Sequence, residues 1–512
     1  MTLLLAALPE TALATNVEDS LVLGIQSTKT LTIDPLQPLE RDMKSIYGVV
    51  YESLIRIDDD YNPQPYLCES WEIGNGGKTW TFHLRENVTF SDGTPLTASD
   101  VVATIDAILE KANQTNATDY GYYRNLAYYV SSASATNDTT LIIRTASGRR
   151  YWGLLYELTF PVLKASEVNS ENPVGTGPYV ITSFDPCSYM LLEVNTRWWQ
   201  QLPQVKQISV VMADTATAVM ENFQYARVDA VLTRSLSASQ VKSGTTTLNV
   251  DARTNVLETL VMNTTDSYLS DINVRYAIRY AIDVDQLLSD NYMGMGSVTN
   301  TMYPQGTWMY DENLTNYYSY DPEKSRELLA ESGWADVDED GVLDKLKEDG
   351  SGYYRLHLRL YVYEEPDNSV RIETANDISD ALAAVGIEAT VSVMTMTNMS
   401  SYLSNGSFDM ALVAYAMDPC PDPGFLLMKS NTGNYARYNS DAMNEYCKTL
   451  RTCLDQESYQ QQLYQIQALY LKDCPFICLY YRNAAVLTRK MFTTARDVRE
   501  LEMLRGIETF PN

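Results

Sequence analysis

A strand, a helix and a second strand follow one another between residues 356 and 393, and this order strongly constrains the fold. The first strand is predicted from apolar residues that alternate with Arg, His and Tyr, namely Leu356, Leu358, Leu360 and Val362. Apolar residues then recur at helical spacing from Ile372 to Val385, and Gly386 is placed to end the helix. Residues 387–393 alternate again. Such a unit implies a right-handed parallel crossover, so the sequence predicts an α/β protein.

A further apolar run, from Phe408 to Met417, predicts another buried strand. Ligands of open α/β sheets bind beyond the carboxyl ends of the strands, where the loops converge. Asp418 directly follows this run, and Asp422 lies in the same loop before a proline. Both acids are therefore candidate ligand-binding residues, although Asp is also an ordinary turn residue, especially before Pro.

The segment from Thr79 to Leu109 carries a second set of ordered local patterns. Trp80, Phe82 and Leu84 alternate with polar residues and predict a strand that is buried on one face. A turn is expected at 92–93, and Thr97 followed by an acid three residues later has the form of a helix N-cap. The pattern therefore predicts a strand, a turn and a helix.

Several segments, in this order, resemble the family 5 extracellular solute-binding proteins, the oligopeptide- and dipeptide-binding components of ABC importers. They are YESLIR, ESWEI, KTWTFHLR and FSDGTPLTASDV within residues 51–101, NPVGTGPYVITSF at 172–184, EVNTRWW at 193–199, DINVRYAIRYAIDVDQLL at 271–288 and YDPEKSRELLAESGW at 320–334. Any one of them alone is an ordinary strand, turn or helix. Their shared order over most of the chain makes the resemblance specific.

The resemblance implies an α/β type II periplasmic binding protein fold, a two-lobed clamp with an extra inserted domain. The implied domains are lobe I at 16–45, 175–259 and 483–512, an inserted domain II at 46–174, and lobe III at 260–482. Residues 1–15 would be the remnant of a signal peptide. By the same analogy the hinge lies in two crossing strands, with Gly175, Gly177, Tyr179 and Met262 as its candidate residues.

The resemblance also implies a ligand, a short peptide, and a partner, the membrane permease of an ABC transporter. In peptide-binding members a carboxylate after the corresponding strand pairs with the α-ammonium of the ligand. The loop here is one residue longer than the usual spacing, so the choice between Asp418 and Asp422 stays open, with Asp418 favoured by its position. Tyr415 is a third candidate ligand-binding residue. We expect a monomer without a cofactor and with no catalytic residues.

Two other functions remain alternatives. An oligosaccharide ligand is compatible with the fold, because aromatic faces stack on sugars and the chain has the pair Trp198-Trp199 and 37 tyrosines. A secreted hydrolase is disfavoured, since no Gly-x-Ser-x-Gly or His-Glu-x-x-His motif occurs. The two histidines, His83 and His357, lie opposite the apolar faces of their strands, and this scarcity also disfavours nickel binding.

The formal net charge of −28 excludes some classes of partner. Nucleic acids and anionic membrane surfaces would be repelled, whereas cationic and zwitterionic ligands remain compatible. An apolar run at Leu3–Leu8 followed by Ala12-Leu13-Ala14 has the small-residue spacing of a signal-peptidase site. No Lys or Arg precedes this run and no Cys follows it, but export remains the expectation. The predicted location is extracytoplasmic, in the periplasm or at the outer face of the cell membrane.

An acidic run has the oxygen-ligand spacing of a calcium loop, with Asp336, Asp338, Asp340 and Asp344 as its candidate ligands. Position twelve of a true EF-hand is Glu, whereas Lys347 stands there in this chain. The sequence therefore favours a plain surface turn over a metal site. The seven cysteines show no C-x2-C spacing, and a disulfide from Cys474 or Cys478 to Cys447 or Cys453 is left open.

Overall fold

The computed structural model describes residues 19–27, 31–36, 41–113, 123–365, 369–493 and 495–510. The predicted signal peptide remnant at 1–15 lies outside these residues. The chain divides into two compact units, the first formed by Met1–Thr254 and Asn483–Asn512 and the second by Asn255–Arg482. The chain therefore crosses from one unit to the other after Thr254 and after Arg482.

The helices and strands alternate along much of the chain. The strands are β1 (Ser20–Gln26), β2 (Ile55–Ile57), β3 (Pro63–Pro65), β4 (Cys68–Gly74), β5 (Thr79–Leu84), β6 (Val130–Asn137), β7 (Thr140–Thr145), β8 (Tyr179–Asp185), β9 (Tyr189–Val194), β10 (Gln207–Ala213), β11 (Ala230–Thr233), β12 (Leu248–Met262), β13 (Gly296–Val298), β14 (Asp344–Leu346), β15 (Tyr353–Arg355), β16 (His357–Tyr363), β17 (Glu388–Met394), β18 (Met410–Ala416) and β19 (Phe476–Thr488). The helices are α1 (Arg41–Tyr47), α2 (Ala98–Ala112), α3 (Leu126–Tyr129), α4 (Leu154–Glu157), α5 (Ala216–Gln224), α6 (Ile272–Ala281), α7 (Val284–Tyr292), α8 (Pro322–Glu331), α9 (Val370–Ala383), α10 (Met396–Asn405), α11 (Gly424–Leu427), α12 (Asp441–Leu450) and α13 (Gln456–Asp473).

The main sheet of the first unit is built around β1. This strand pairs in parallel with β10 and β11, while β9 and β8 extend the sheet by antiparallel pairing beyond β10. Residues 485–488 of β19 pair with β11 on the other side. The side chains of Leu21, Leu23 and Ile25 are buried. Apolar residues on β1 thus anchor the core of this unit.

A second sheet of the first unit confirms the local predictions for residues 79–109. It has the strand order β4-β5-β7-β6, and Trp80, Phe82 and Leu84 of β5 are buried. Helix α2 begins where it was predicted, because the Asp100 carboxylate accepts the backbone amide of Thr97 at 2.8 Å in a capping box.

Gly175 and Gly177 lie inside the first unit, against the backbone that follows α1. The amide of Gly177 donates to the carbonyl of Val50 at 2.9 Å. A Cβ atom on Gly175 would lie 2.0 Å from the same carbonyl oxygen, so only glycine fits this close approach. The hinge role of these two residues and of Tyr179 stays a prediction, and the chain crosses between the units elsewhere.

The second unit contains the predicted parallel crossover. Strands β16 and β17 pair in parallel and α9 connects them, while β18 pairs in parallel with β16 on its other side. Residues 256–262 of β12 pair antiparallel with β18. On α9 the side chains of Ala375, Ile378 and Leu382 are buried as expected, but the neighbour of Ile372, Arg371, is buried as well. The strand-helix-strand interpretation is confirmed.

A buried carboxylate, Glu52, connects two distant segments of the first unit. The indole nitrogen of Trp198 donates to it at 2.9 Å, and that of Trp199 donates at 3.0 Å. Burial raises the pKa of Glu52 above its ordinary value of 4.5, and the hydrogen bonds from Trp198, Trp199 and Tyr66 offset this only in part. Among the described residues, the hydrogen-bond donors that hold this carboxyl group are therefore neutral side chains.

This raised pKa predicts a pH-dependent contribution to stability. An acid whose pKa is higher in the folded than in the unfolded state stabilises the fold fully below the unfolded pKa, and the contribution is lost as pH rises through the folded pKa. Substitution Glu52→Gln removes the titrating group. We therefore expect the stability of the wild type relative to Glu52→Gln to fall as pH rises above the ordinary pKa of 4.5, measured as paired thermal midpoints.

The matched control for the loss of one carboxylate is Glu69→Gln, which changes an exposed residue of β4. The assignment would be contradicted if the thermal midpoint of the wild type rose relative to that of Glu52→Gln as pH increases.

Candidate functional site

The carboxyl edge of the parallel strands in the second unit is the candidate site. Strands β16 and β18 run in the same direction, so the residues after Tyr363 and after Ala416 emerge at the same edge. On the antiparallel β12, Val256 lies opposite Ala416, and this brings the start of its paired segment to that edge as well. Three strands therefore contribute side chains to one place within the unit.

Asp418 lies at this edge, as its position after β18 predicted. Its side chain is half-buried, and its carboxylate accepts the backbone amide of Cys420 at 2.9 Å. The Asn255 side chain donates to the carbonyl of Met417 at 2.8 Å and fixes the start of the loop. The structure therefore presents the Asp418 carboxylate on a supported turn rather than on a loose segment.

Asp422 has a different environment, although it lies in the same loop. Its carboxylate is buried, forms a salt bridge with Arg451 at 2.7 Å and accepts the amide of Gly424 at 2.9 Å. A buried carboxylate needs such partners, because desolvation of an isolated charge is highly unfavourable. Arg451 therefore already balances the charge of Asp422 within the second unit.

Tyr415 is buried beneath the loop. Its hydroxyl donates to the carbonyl of Gly433 at 3.0 Å, and its ring stacks on Tyr435 with 6.1 Å between the centroids. Burial raises the pKa of Tyr415 well above its ordinary value, so the hydroxyl stays protonated. These contacts give Tyr415 a part in shaping the loop, and its predicted contact with a ligand stays a prediction.

A set of four charges, two of them fully buried, lies at the same edge and was not found from the sequence. Glu258 of β12 contacts Arg371 of α9 at 2.6 Å and Arg482 of β19 at 2.8 Å. Glu365, two residues beyond β16, contacts Arg482 at 2.9 Å and Arg371 at 3.3 Å. The guanidinium carbon of Arg371 also lies 4.2 Å from the ring centroid of Tyr363. We call these four residues the charge cluster.

The charge cluster is balanced, with two carboxylates and two guanidinium groups. Burial alone would raise the pKa of Glu365, but the hydrogen bonds and positive charges of Arg482 and Arg371 outweigh it and leave this pKa below its ordinary value. The side chains of Glu258 and Arg371 are fully buried, whereas those of Glu365 and Arg482 are 19% and 23% exposed. The cluster thus reaches from the core of the unit to its surface.

The acidic run that was a weak candidate for a calcium loop forms a compact turn. Carboxylate oxygens of Asp336, Asp338 and Asp340 lie within 4.8 Å of one another, and all three residues are exposed. Asp340 also forms a salt bridge with Arg355, which supplies positive charge from the protein itself. Asp344 is not part of this group, because it lies in β14 opposite Arg355. A plain surface turn without a cation, which the sequence favoured, stays the prediction for this segment.

Neither histidine lies at the candidate site. His357 is the first residue of β16, so it lies at the opposite edge from Asp418, with its Nε2 atom 2.8 Å from the hydroxyl of Thr390. His83 lies on β5 in the first unit.

All seven cysteines are free thiols in the structure, and burial raises the pKa of Cys478 to about 12. Within the described residues no helix is both long enough and apolar enough to cross a membrane.

The tryptophan pair that kept a sugar ligand open has other contacts. Trp198 is buried, and both indole groups donate to Glu52. The guanidinium of Arg85 lies 5.1 Å from the ring centroid of Trp199. These rings therefore make contacts within the first unit, and of the two observations that favoured a sugar ligand only the 37 tyrosines remain.

The chain is similar to known proteins over most of its length. The model of the family "Bacterial extracellular solute-binding proteins, family 5 Middle" matches residues 62–437. The oligopeptide-binding protein AppA of Bacillus subtilis is 24% identical over 486 residues, which cover 90% of this chain and 86% of AppA.

Two solved structures show the same fold. The structure of Bacillus subtilis AppA in complex with a nonapeptide has a TM-score of 0.66 at 21% identity and covers 96% of this chain and 98% of its own. The crystal structure of a nickel ABC transporter from Bacillus halodurans has a TM-score of 0.79 at 20% identity and covers 95% and 98%. The expected α/β type II periplasmic binding protein fold is confirmed.

Substitution Arg371→Met tests whether the charge cluster holds the second unit together. Loss of one guanidinium leaves two buried carboxylates with one cation, and breaking a buried pair in this way is destabilising by about 3 kcal/mol. We expect a lower midpoint of urea unfolding, followed by circular dichroism. Adding Glu258→Gln should restore part of the loss, because it removes the carboxylate left with fewer partners.

Arg326→Met is the matched control, since the guanidinium of Arg326 on α8 is exposed and pairs with Glu323 one turn away. Its effect should stay below about 0.5 kcal/mol. An Arg371→Met protein as stable as this control would disprove a stabilising role for the cluster.

Proposed function

Because this chain belongs to family 5 of the bacterial extracellular solute-binding proteins, we propose that it captures short peptides outside the cytoplasm and delivers them to the permease of an ABC transporter. Members of this family carry solutes and are not enzymes. In this proposal the protein works as a monomer and without a cofactor. An AppA structure that contains a nonapeptide, on the same fold, supports the choice of ligand.

The position of Asp418 is the observation on which the proposal rests. A half-buried carboxylate at the carboxyl edge of a parallel sheet suits the α-ammonium group of a peptide, because partial desolvation strengthens an ion pair. The loop holds this carboxylate through Cys420, so little conformational entropy is lost on binding. Backbone hydrogen bonds along an extended ligand would then tolerate different side chains.

Binding would also select a conformation of the protein. A ligand shifts a conformational equilibrium only when its contacts are better in one state than in the other. The candidate hinge residues Gly175, Gly177, Tyr179 and Met262 remain part of the proposal. Of these, Met262 belongs to β12, a strand that runs through one of the two chain crossings.

Nickel and oligosaccharide are the other classes of ligand to compare with a peptide. The similar structure from Bacillus halodurans is that of a nickel transporter, yet His357 lies at the far edge of its sheet, away from Asp418. An oligosaccharide has lost the support of the Trp198-Trp199 pair. Mass spectrometry of the small molecules released from the purified, denatured protein separates peptide, sugar and metal complex in one measurement.

Substitution Asp418→Asn tests the ammonium contact. We expect it to weaken binding of trialanine at least tenfold, equivalent to about 1.4 kcal/mol, in isothermal titration calorimetry. N-acetylation of the peptide removes the same charge from the other side. Acetylation should therefore weaken binding to the wild type by a similar factor and have no further effect on the variant.

The matched control is Asp380→Asn, which changes an exposed residue of α9. This variant should bind trialanine as tightly as the wild type does. Asp422→Asn should lower stability, because it removes the charge of the carboxylate that contacts Arg451 at 2.7 Å. Equal affinity of wild type and Asp418→Asn for the free peptide would reject the role of Asp418. Cleavage of a labelled peptide would favour a hydrolase instead.

A further inference from the structure

The first unit contains a cavity of about 420 Å³ that the proposed function does not use. Its walls come from α1, from β2 and the turn after it, and from residues 495–509. Small-molecule sites in proteins have volumes of roughly 300 to 1,000 Å³. Asp418, Asp422 and Tyr415 belong to the second unit and line none of this cavity.

One wall of the cavity is held rigid by ion pairs. Arg505 contacts the carboxylate of Asp59 at 3.1 Å and donates to the carbonyl of Ile57 at 2.6 Å. Arg496 contacts Asp60 at 3.1 Å. These contacts connect the last segment of the described chain to the turn after β2, with the half-buried Arg505 as the less exposed of the two arginines.

The remaining wall carries charges of both signs beside aromatic faces. The ammonium of Lys44 lies 5.4 Å from the ring centroid of Tyr123, and the guanidinium of Arg56 lies 5.1 Å from that of Tyr66. Arg56 is 48% exposed and meets Glu508 at 3.5 Å, a longer contact than those of Arg505 and Arg496. An entering carboxylate has access to this guanidinium without breaking a short salt bridge.

We propose that this cavity is a second ligand site, for a zwitterion of amino-acid to dipeptide size. The ligand's carboxylate lies against Lys44 and Arg56, and its ammonium lies against Glu508, because Glu502 already pairs with Arg505 at 3.0 Å and with Arg499 at 3.6 Å. Tyr66 and Tyr123 cover its aliphatic part. A zwitterion fits better than a singly charged ligand, because the cavity offers both signs of charge and each needs a counter-charge when water leaves.

Counting bound copies of alanylalanine on the full chain tests this site. We expect native mass spectrometry to show two copies on the wild type, one copy on Asp418→Asn and one copy on Ala495→Trp, whose indole fills the cavity. The double variant should bind none. Ala135→Trp, at an exposed position of β6 in the same unit, is the matched control and should bind two copies.

Charge variants keep the test decisive if the filled variant fails to fold. Arg56→Gln should weaken the second site at least tenfold and leave the first unchanged. In the Asp418→Asn background, N-acetylated alanylalanine and its carboxamide should each bind at least tenfold more weakly than the free dipeptide. A single copy on the wild type that Asp418→Asn abolishes, or a second copy that survives both Ala495→Trp and Arg56→Gln, would overturn the proposal.

Discussion

The burial of Glu258 is the constraint on which the second unit depends. A carboxylate without access to water is tolerated only when cations and hydrogen-bond donors surround it, and here Arg371 and Arg482 do so. The participating residues come from β12, α9 and β19 and from the segment after β16. The charges balance only when all four elements are in register. The same register determines where the loop after β18 leaves the sheet.

The first unit also contains a buried carboxyl group, Glu52, but there the hydrogen-bond donors are neutral. Two indole nitrogens donate to the carboxyl group of Glu52, and its pKa stays above the ordinary value because no cation compensates for burial. In the charge cluster, positive charge lowers the pKa of Glu365 in spite of burial. Two buried carboxyl groups of the same type thus respond to pH in opposite directions, and the difference lies in whether the donors carry charge.

Local patterns in the sequence predicted much of the fold, because their physical causes span only a few residues. The alternation of Trp80 and Phe82 identified β5, and the cap at Thr97 identified the start of α2. The helix α9 was predicted as well, and Gly386 ends it as predicted. Gly386 has a φ of +90°, its amide donates to the carbonyl of Ala383 at 3.0 Å, and the amide of Ile387 donates to the carbonyl of Leu382 at 3.0 Å. The side chain of Leu343 lies against Gly386, so the packing also favours a glycine here.

Contacts between distant residues could not be predicted. Arg371 and Glu258 lie 113 positions apart, and a single sequence does not show that a polar residue beside Ile372 is the one that is buried. The salt bridge from Arg451 to Asp422, and the donation of Trp198 to Glu52, are likewise long-range. Asp418 was placed correctly at the sheet edge, because the end of a strand is visible in the local sequence. The group of a ligand that Asp418 would contact is not visible there.

The second unit is one uninterrupted stretch of chain, Asn255–Arg482, enclosed at both ends by the first. All four members of the charge cluster lie within that stretch, so none of its buried charges relies on a counter-charge encoded elsewhere. A chain cut at these two junctions would keep all four charges of the cluster in a single piece.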